Sequence, residues 1–203
     1  MEISKNSELL EAGIDEAGRG CLCGRVYTGC VILPNTFPDD TYLMIKDSKK
    51  LSRKNRDIMR KYIEKHAIAY AVDYAEAEEV DKYNILKATL VSMHRAVDKL
   101  KIKPEFILVD GNRFNIYMDR EDNIIPHELV TGGDNKFRNI AAASILAKTN
   151  HDEYIDGLLA ADPDLEKYGW RTNMGYGTKV HMAAIKKYGI TKYHRKSFAP
   201  CRE

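Results

Sequence analysis

No stretch of the sequence stays apolar over the roughly 20 residues that a helix needs to cross a bilayer, so no membrane-spanning helix is expected. The opening Met1-Glu2-Ile3-Ser4-Lys5 lacks the apolar core of a secretory signal, which points to a cytoplasmic protein. Cysteine is scarce: Cys21, Cys23, Cys30 and Cys201 form neither a zinc spacing nor a disulfide framework. Cys21-Leu22-Cys23 comes near a metal pair, but no second pair follows it, so buried or idle thiols are expected. Repeats, low-complexity tracts and an obvious linker are also missing. The 203 residues therefore read as a single domain, with a core over about residues 8–160 and a basic C-terminal part over about 161–203.

Charge is present in both signs but unevenly placed. The net +2 conceals nine Lys and Arg against one acid from Lys167 to Glu203, and an acidic excess before that. A second basic run, Lys46 to Lys61, holds eight basic residues and two acids. An acidic body with basic edges suits a protein that holds cations and grips a polyanion, although a charge run is by itself also the mark of a solvated helix face.

The element pattern is α/β. A short apolar lead-in, Leu9-Leu10, opens a first strand, and Gly24 to Leu33 reads as its hairpin partner, stopped by Pro34. Ser52 is placed to cap a basic helix from Arg53 to about His66, and Ala67 to Ala75 gives a third strand. A short acidic helix follows over Glu76 to Lys82. From Asn84 to Leu100, Leu86, Leu90, Met93, Val97 and Leu100 form one apolar helical stripe. Pro104 then introduces Phe106 to Asp110, a short run typical of a strand covered on both faces. Ile124 to Val130 is expected to be one more strand. Asn139 to Leu159 is a long helix whose Ala141-Ala142-Ala143-Ser144 run lets it lie close to the sheet. Residues 161–177 read as loop, Lys179 to Tyr188 as a short basic helix, and the remainder as an irregular basic tail. Hairpins first and a helix-to-buried-strand crossover later predict a mixed sheet.

The chemistry centres on Gly13-Ile14-Asp15-Glu16-Ala17-Gly18-Arg19-Gly20. Adjacent carboxylates repel unless a cation lies near, and hard divalent ions favour such oxygens. The glycines allow close backbone approach, and Arg19 offers a planar fork for phosphate. Asp110 ends a buried strand where an α/β site is usual. Asp134 follows Gly132-Gly133, where the alternative role is helix N-cap. Four acids with no competing His pair or thiol cluster predict an oxygen-only site for Mg²⁺ or Mn²⁺, and hence phosphoryl transfer or phosphodiester hydrolysis.

Seven segments in order resemble type 2 ribonuclease H, specifically bacterial ribonuclease HII: Gly13 to Gly20, Asp47 to Ser52, Leu108 to Asn112, Gly133-Asp134, Ala141 to Lys148, Gly175 to Thr178, and Arg195 to Phe198. The resemblance covers nearly the whole chain. It implies a ribonuclease H-like mixed five-stranded sheet flanked by helices, with a helical C-terminal extension. It also implies an endonuclease that cuts the RNA of RNA–DNA hybrids and 5′ of ribonucleotides embedded in duplex DNA, leaving 3′-hydroxyl and 5′-phosphate ends. The family's four metal-binding acids fall on Asp15, Glu16, Asp110 and Asp134, and its junction reader on Gly18, Arg19, Gly20 and Tyr176. Two departures stand out. Gly132 replaces a usual basic residue, and His151 replaces a common Arg before Asp152, which is a fallback site candidate with a solvated helix acid as the alternative.

Neighbouring strand side chains point to opposite faces, so Asp15 is expected at the centre of the site and Glu16 to reach in from one side. Repulsion among the acids should raise at least one pKa. Lys49, Lys50 and the lysines and arginines of residues 179–196 are expected to meet phosphates of the RNA–DNA hybrid or ribonucleotide-containing duplex, and the enzyme to act as a monomer. A module that only binds nucleic acid would not need all four acids. A DNA-only nuclease or resolvase on the same fold would not need Gly-Arg-Gly with Tyr176.

Overall fold

A computed structural model describes residues 1–202. Its centre is β1 (Glu11–Ala17), which pairs antiparallel with β2 (Val26–Ile32), and β2 pairs antiparallel with β3 (Ala69–Ala75). On the other side β1 runs parallel to β4 (Phe106–Asp110). Two short strands, β5 (Tyr117–Met118) and β6 (Ile124–Ile125), form a separate hairpin before β7 (His127–Val130) joins β4 in parallel. The mixed five-stranded sheet has the order β3-β2-β1-β4-β7. The expected single strand over 124–130 is thus two. Pro126 has no N–H to continue a ladder, and the chain changes sheets there.

Both faces of the sheet are covered. On one, α3 (Ile85–Asp98) lays Met93, Ala96 and Val97 against Ala12, Ile14, Cys30, Ile107 and Val109. Leu86 is excluded from this face and stands 39% exposed, because the first turn of α3 instead presents Ile85 and Ala88 to Val80 of α2 (Ala77–Tyr83). On the other face lie α1 (Arg53–His66), capped by the Ser52 hydroxyl as its sequence predicts, and α4 (Arg138–Ala161). The small residues of α4 work together with glycines of the sheet. A Cβ on Gly13 would fall 2.3 Å from the Asn139 carbonyl carbon, and one on Gly29 would fall 2.3 Å from the Ala143 oxygen. Helix backbone therefore rests directly on strand backbone, with Ala141, Ala142 and Ala143 fully buried.

The C-terminal part has more structure than its sequence pattern shows. Residues expected as loop form a 3₁₀ helix (Pro163–Tyr168) and a single turn, α5 (Trp170–Asn173), before α6 (Lys179–Tyr188). Tyr168, Trp170 and Ala184 pack with Cys23, Ile155 and Leu159 in a core of their own. The tail is not a solvated basic strip either, since His194 and Arg195 are buried. All four cysteines are buried free thiols. Among the described residues no helix is long and apolar enough to cross a membrane.

Candidate active site

Parallel pairing of β1 with β4 sets the first two acids. Ile14 stands beside Val109, so the next residues, Asp15 and Asp110, leave the same edge of the sheet together. β7 ends at the same edge and turns through Gly132, whose φ of 66° favours glycine, into a 3₁₀ turn that carries Asp134. The Gly133 N–H donates to Asp110 Oδ1 at 2.8 Å, tying that turn to β4. Asp134 is not the cap of α4, which begins four residues later behind Phe137. One carboxylate oxygen from each of Asp15, Asp110 and Asp134 lies within 4.8 Å of the other two. Oxygens sharing one Mg²⁺-sized ion lie about 3.0 to 4.2 Å apart, so the trio is placed to hold a divalent cation once the carboxylates draw in on it. Glu16 does not join these three; its carboxylate accepts from Arg19 at 3.1 Å.

The electrostatics are those of acids kept together with only partial compensation. Burial, then the charges of Glu16 and Asp110, pushes the Asp15 carboxyl well above the usual carboxylate range. Burial also raises Glu16, against the pull of Arg19. Asp134 is raised by burial and by Asp47 and Asp110, while Lys49, 4.0 Å away, opposes the shift. A bound cation would reverse the penalty at each acid.

A groove of about 470 Å³ opens beside the acids, lined by Glu16 to Gly20, Ser48, Lys49, Ser144, Lys148 and Tyr176. Gly18 takes a φ of 87°, and a Cβ there would strike the His151 ring at 2.6 Å. Tyr176, 38% exposed, leans over Gly20, and the Lys148 ammonium lies 5.6 Å from the Tyr176 ring centre. Gly175 presents its carbonyl to the Leu22 N–H at 2.8 Å, so the tyrosine loop is stitched to the glycine loop. Lys49 is in the groove wall, whereas Lys50 lies outside it, hydrogen-bonded to Asn135.

Two expectations need correction. Asp152 is neither a ligand of the trio nor a solvated acid. It is buried and accepts from Arg56, Lys148 and His151 at 3.1, 2.8 and 3.2 Å. Arg195 cannot meet a phosphate, because it is fully buried and donates to the carbonyls of Arg19, Cys21 and Gly24 at 2.8 to 3.0 Å. This clamp under the glycine loop was hidden in a basic run. Lys148 was missed as a groove residue although it ends the Ala141 to Lys148 segment, and its spacing from Ser144 puts both on one face of α4.

A mixed sheet carrying three carboxylates at one edge, beside a groove walled by glycine backbone and lysine, defines a metal-dependent phosphodiester hydrolase of the ribonuclease H class. The chain belongs to the ribonuclease HII family, whose model matches residues 12–201. A ribonuclease HII of Bacteroides thetaiotaomicron is 50% identical over 193 residues, covering 95% of this chain and 91% of that protein. One of Parabacteroides distasonis is 52% identical over 189 residues, covering 93% and 89%. Among solved structures, ribonuclease H2 from Pyrococcus horikoshii aligns with a TM-score of 0.75 over 95% of each chain at 23% identity, a likeness of fold. Bst-RNase HIII in complex with Mn²⁺ aligns with a TM-score of 0.67 at 19% identity, covering 94% of this chain and 67% of that one. The protein is accordingly an endonuclease of ribonuclease H type, dependent on a divalent cation and acting on RNA–DNA hybrids.

Proposed function

We propose that the protein cuts the RNA strand of hybrids and also cuts 5′ of single ribonucleotides embedded in duplex DNA, leaving 3′-hydroxyl and 5′-phosphate ends. Its place would be the removal of misincorporated ribonucleotides or RNA primers. The observation that carries this reading is the juxtaposition of the Asp15, Asp110 and Asp134 trio with a groove holding Gly18, Gly20 and Tyr176. Asp15, Asp110 and Asp134 would hold Mg²⁺ or Mn²⁺. Glu16 would reach a second ion from the groove side once Arg19 turns to phosphate. Paired divalent ions supply an activated water and stabilise the leaving 3′-oxygen.

The protein's own groups do the selecting. A 2′-hydroxyl is the mark of a ribose, so a donor or acceptor must meet it. The exposed Gly20 lets a sugar approach the backbone of the loop, Gly18 lets that loop turn against the His151 ring, and Tyr176 lines the same groove. Arg19, Lys49, Lys50 and Lys148 hold phosphates without reading bases. The enzyme works as a monomer in this reading, since acids and groove come from one chain. The test is incubation with Mg²⁺ or Mn²⁺ of a duplex carrying one ribonucleotide and of an all-DNA control. One cut 5′ of the ribonucleotide, with a 3′-hydroxyl and a 5′-phosphate, is expected in the first and none in the second. Equal cutting of both would make the protein a general metal nuclease.

A further inference from the structure

Behind Tyr176 lies a buried chain of rings that the chemistry at the acids does not use. The fully buried Trp170 indole donates to His181 Nε2 at 3.0 Å, and an indole N–H has no acceptor role. His181 Nε2 is therefore an unprotonated acceptor, and its Nδ1–H donates to the Tyr176 backbone carbonyl at 3.0 Å. His194 Nε2 approaches the same His181 nitrogen at 3.1 Å. His194 Nδ1 accepts the Thr191 N–H at 2.9 Å, so its Nε2 carries the proton and shares the single His181 Nε2 lone pair with the Trp170 N–H in a three-centre bond. The partners thus assign both tautomers, and each ring is neutral. Burial lowers the pKa of both, in keeping with this.

The two ends of this chain touch the two walls of the groove. His181 ends on the loop of Tyr176. His194 precedes Arg195, which clamps the carbonyls of Arg19, Cys21 and Gly24. Between them, residues 21–24 form a strip held on both sides: Leu22 N–H donates to Gly175, while Gly24 N–H donates to Tyr193 and Arg195 N–H donates to Leu22. Isolated bridges pair Cys21 with Tyr176 and Cys23 with His194.

We propose that His181 and His194, bonded ring to ring, are positioning residues that lock the Tyr176 loop to the Arg195-clamped glycine loop and so set how well the enzyme recognises a single embedded ribonucleotide. The proposal rests on the reading of Tyr176 as part of the ribose reader. A lone ribonucleotide offers one sugar to a pair of loops that must be in register, whereas a long hybrid offers many positions at which a loosened pair still engages. Loss of the lock therefore falls on the first substrate.

The experiment compares kcat/KM on a single-ribonucleotide duplex and on a long hybrid, in saturating Mg²⁺, for the wild type, Tyr176→Phe, His181→Leu and His181→Asn, with melting temperatures beside them. His181→Leu removes the donor to the Tyr176 carbonyl, whereas the Asn amide keeps it. The expected result is a fall of about tenfold in the ratio of the two substrates for His181→Leu, the size of one hydrogen bond's net contribution. Recovery of only part of that ratio is expected in His181→Asn, which restores the bond to the Tyr176 carbonyl but is too short to reach His194, even though both variants melt lower. A ratio unchanged in His181→Leu, or equally reduced in His181→Asn, overturns the proposal. A ratio unchanged in Tyr176→Phe overturns the reading of Tyr176 instead. Should His181→Leu fail to fold, ring ¹⁵N shifts of the wild type decide: His181 as the Nδ1–H and His194 as the Nε2–H tautomer support the lock, and the opposite pair refutes it.

Discussion

Single residues here carry strain that only partners explain. Asp15, Asp110 and Asp134 are held within one ion's reach of each other although each repels the rest. The histidines of the C-terminal part show the same logic with the opposite sign. Burial, then the neighbouring His181, pushes His194 down to about 4 from an ordinary 6.5. The unfolded chain thus takes up a proton at His194 before the folded one does. The stability that neutral His194 contributes is complete above pH 6.5 and is lost as pH falls from there to about 4. In the metal-free protein His194 should make the unfolding free energy drop across that window by at most about 3 kcal/mol, against the opposite trend of the raised Asp15, Glu16 and Asp134 carboxyls. His194→Gln, which titrates nowhere in the window, should flatten the drop. An equally steep drop in that variant would remove His194 as the cause.

At the scale of elements, the contact of α4 with the sheet is made by what is missing from the strands. Gly13→Ala places a methyl 2.3 Å from helix backbone that cannot turn aside, and should cost about 3 kcal/mol or more in denaturant unfolding. Gly157, on the exposed side of the same helix with nothing within 4 Å, makes the opposite case: Gly157→Ala should stabilise by about 0.5–1 kcal/mol. A neutral Gly13→Ala would mean that α4 does not rest on β1 as described. The long elements were legible because their periodicity is strong. α1 keeps its Ser52 cap and its predicted ends, and β4 its apolar run up to Asp110. Residues 163–173 were not legible, since one-turn helices are too short to show a period. Leu86 misled because an apolar residue at helical spacing reports a face, whereas burial depends on which neighbour covers each turn.

At the scale of the molecule, the site is an assembly of distant parts. The acids come from β1, β4 and the turn after β7; the groove wall comes from α4 and from loops near both ends of the chain. Sequence order revealed which residues gather, through motifs in fixed succession, and strand alternation set Asp15 at the centre and Glu16 to one side, but neither showed how Asp110 and Asp134 reach Asp15. Asp110 and Asp134 meet Asp15 because parallel strands end together, while Glu16, next to Asp15 in sequence, turns to Arg19. The net charge also misled in part: Arg195 and Arg56 are spent inside, on carbonyls and on Asp152, rather than offered to phosphate. The lysines of α6, Lys179, Lys186 and Lys187, are exposed.

The most direct test of the account removes one central carboxylate and reads binding and cleavage on the same molecule. Wild type and Asp15→Asn are mixed with a duplex carrying one ribonucleotide, in Mg²⁺ for cleavage and in chelator for binding. The account predicts cleavage lost by at least about a thousandfold, about 4 kcal/mol of transition-state stabilisation. It predicts affinity in chelator within about threefold of wild type, because phosphate contacts supply most of it. Cleavage by Asp15→Asn near the wild-type rate would contradict the central role of the acid trio.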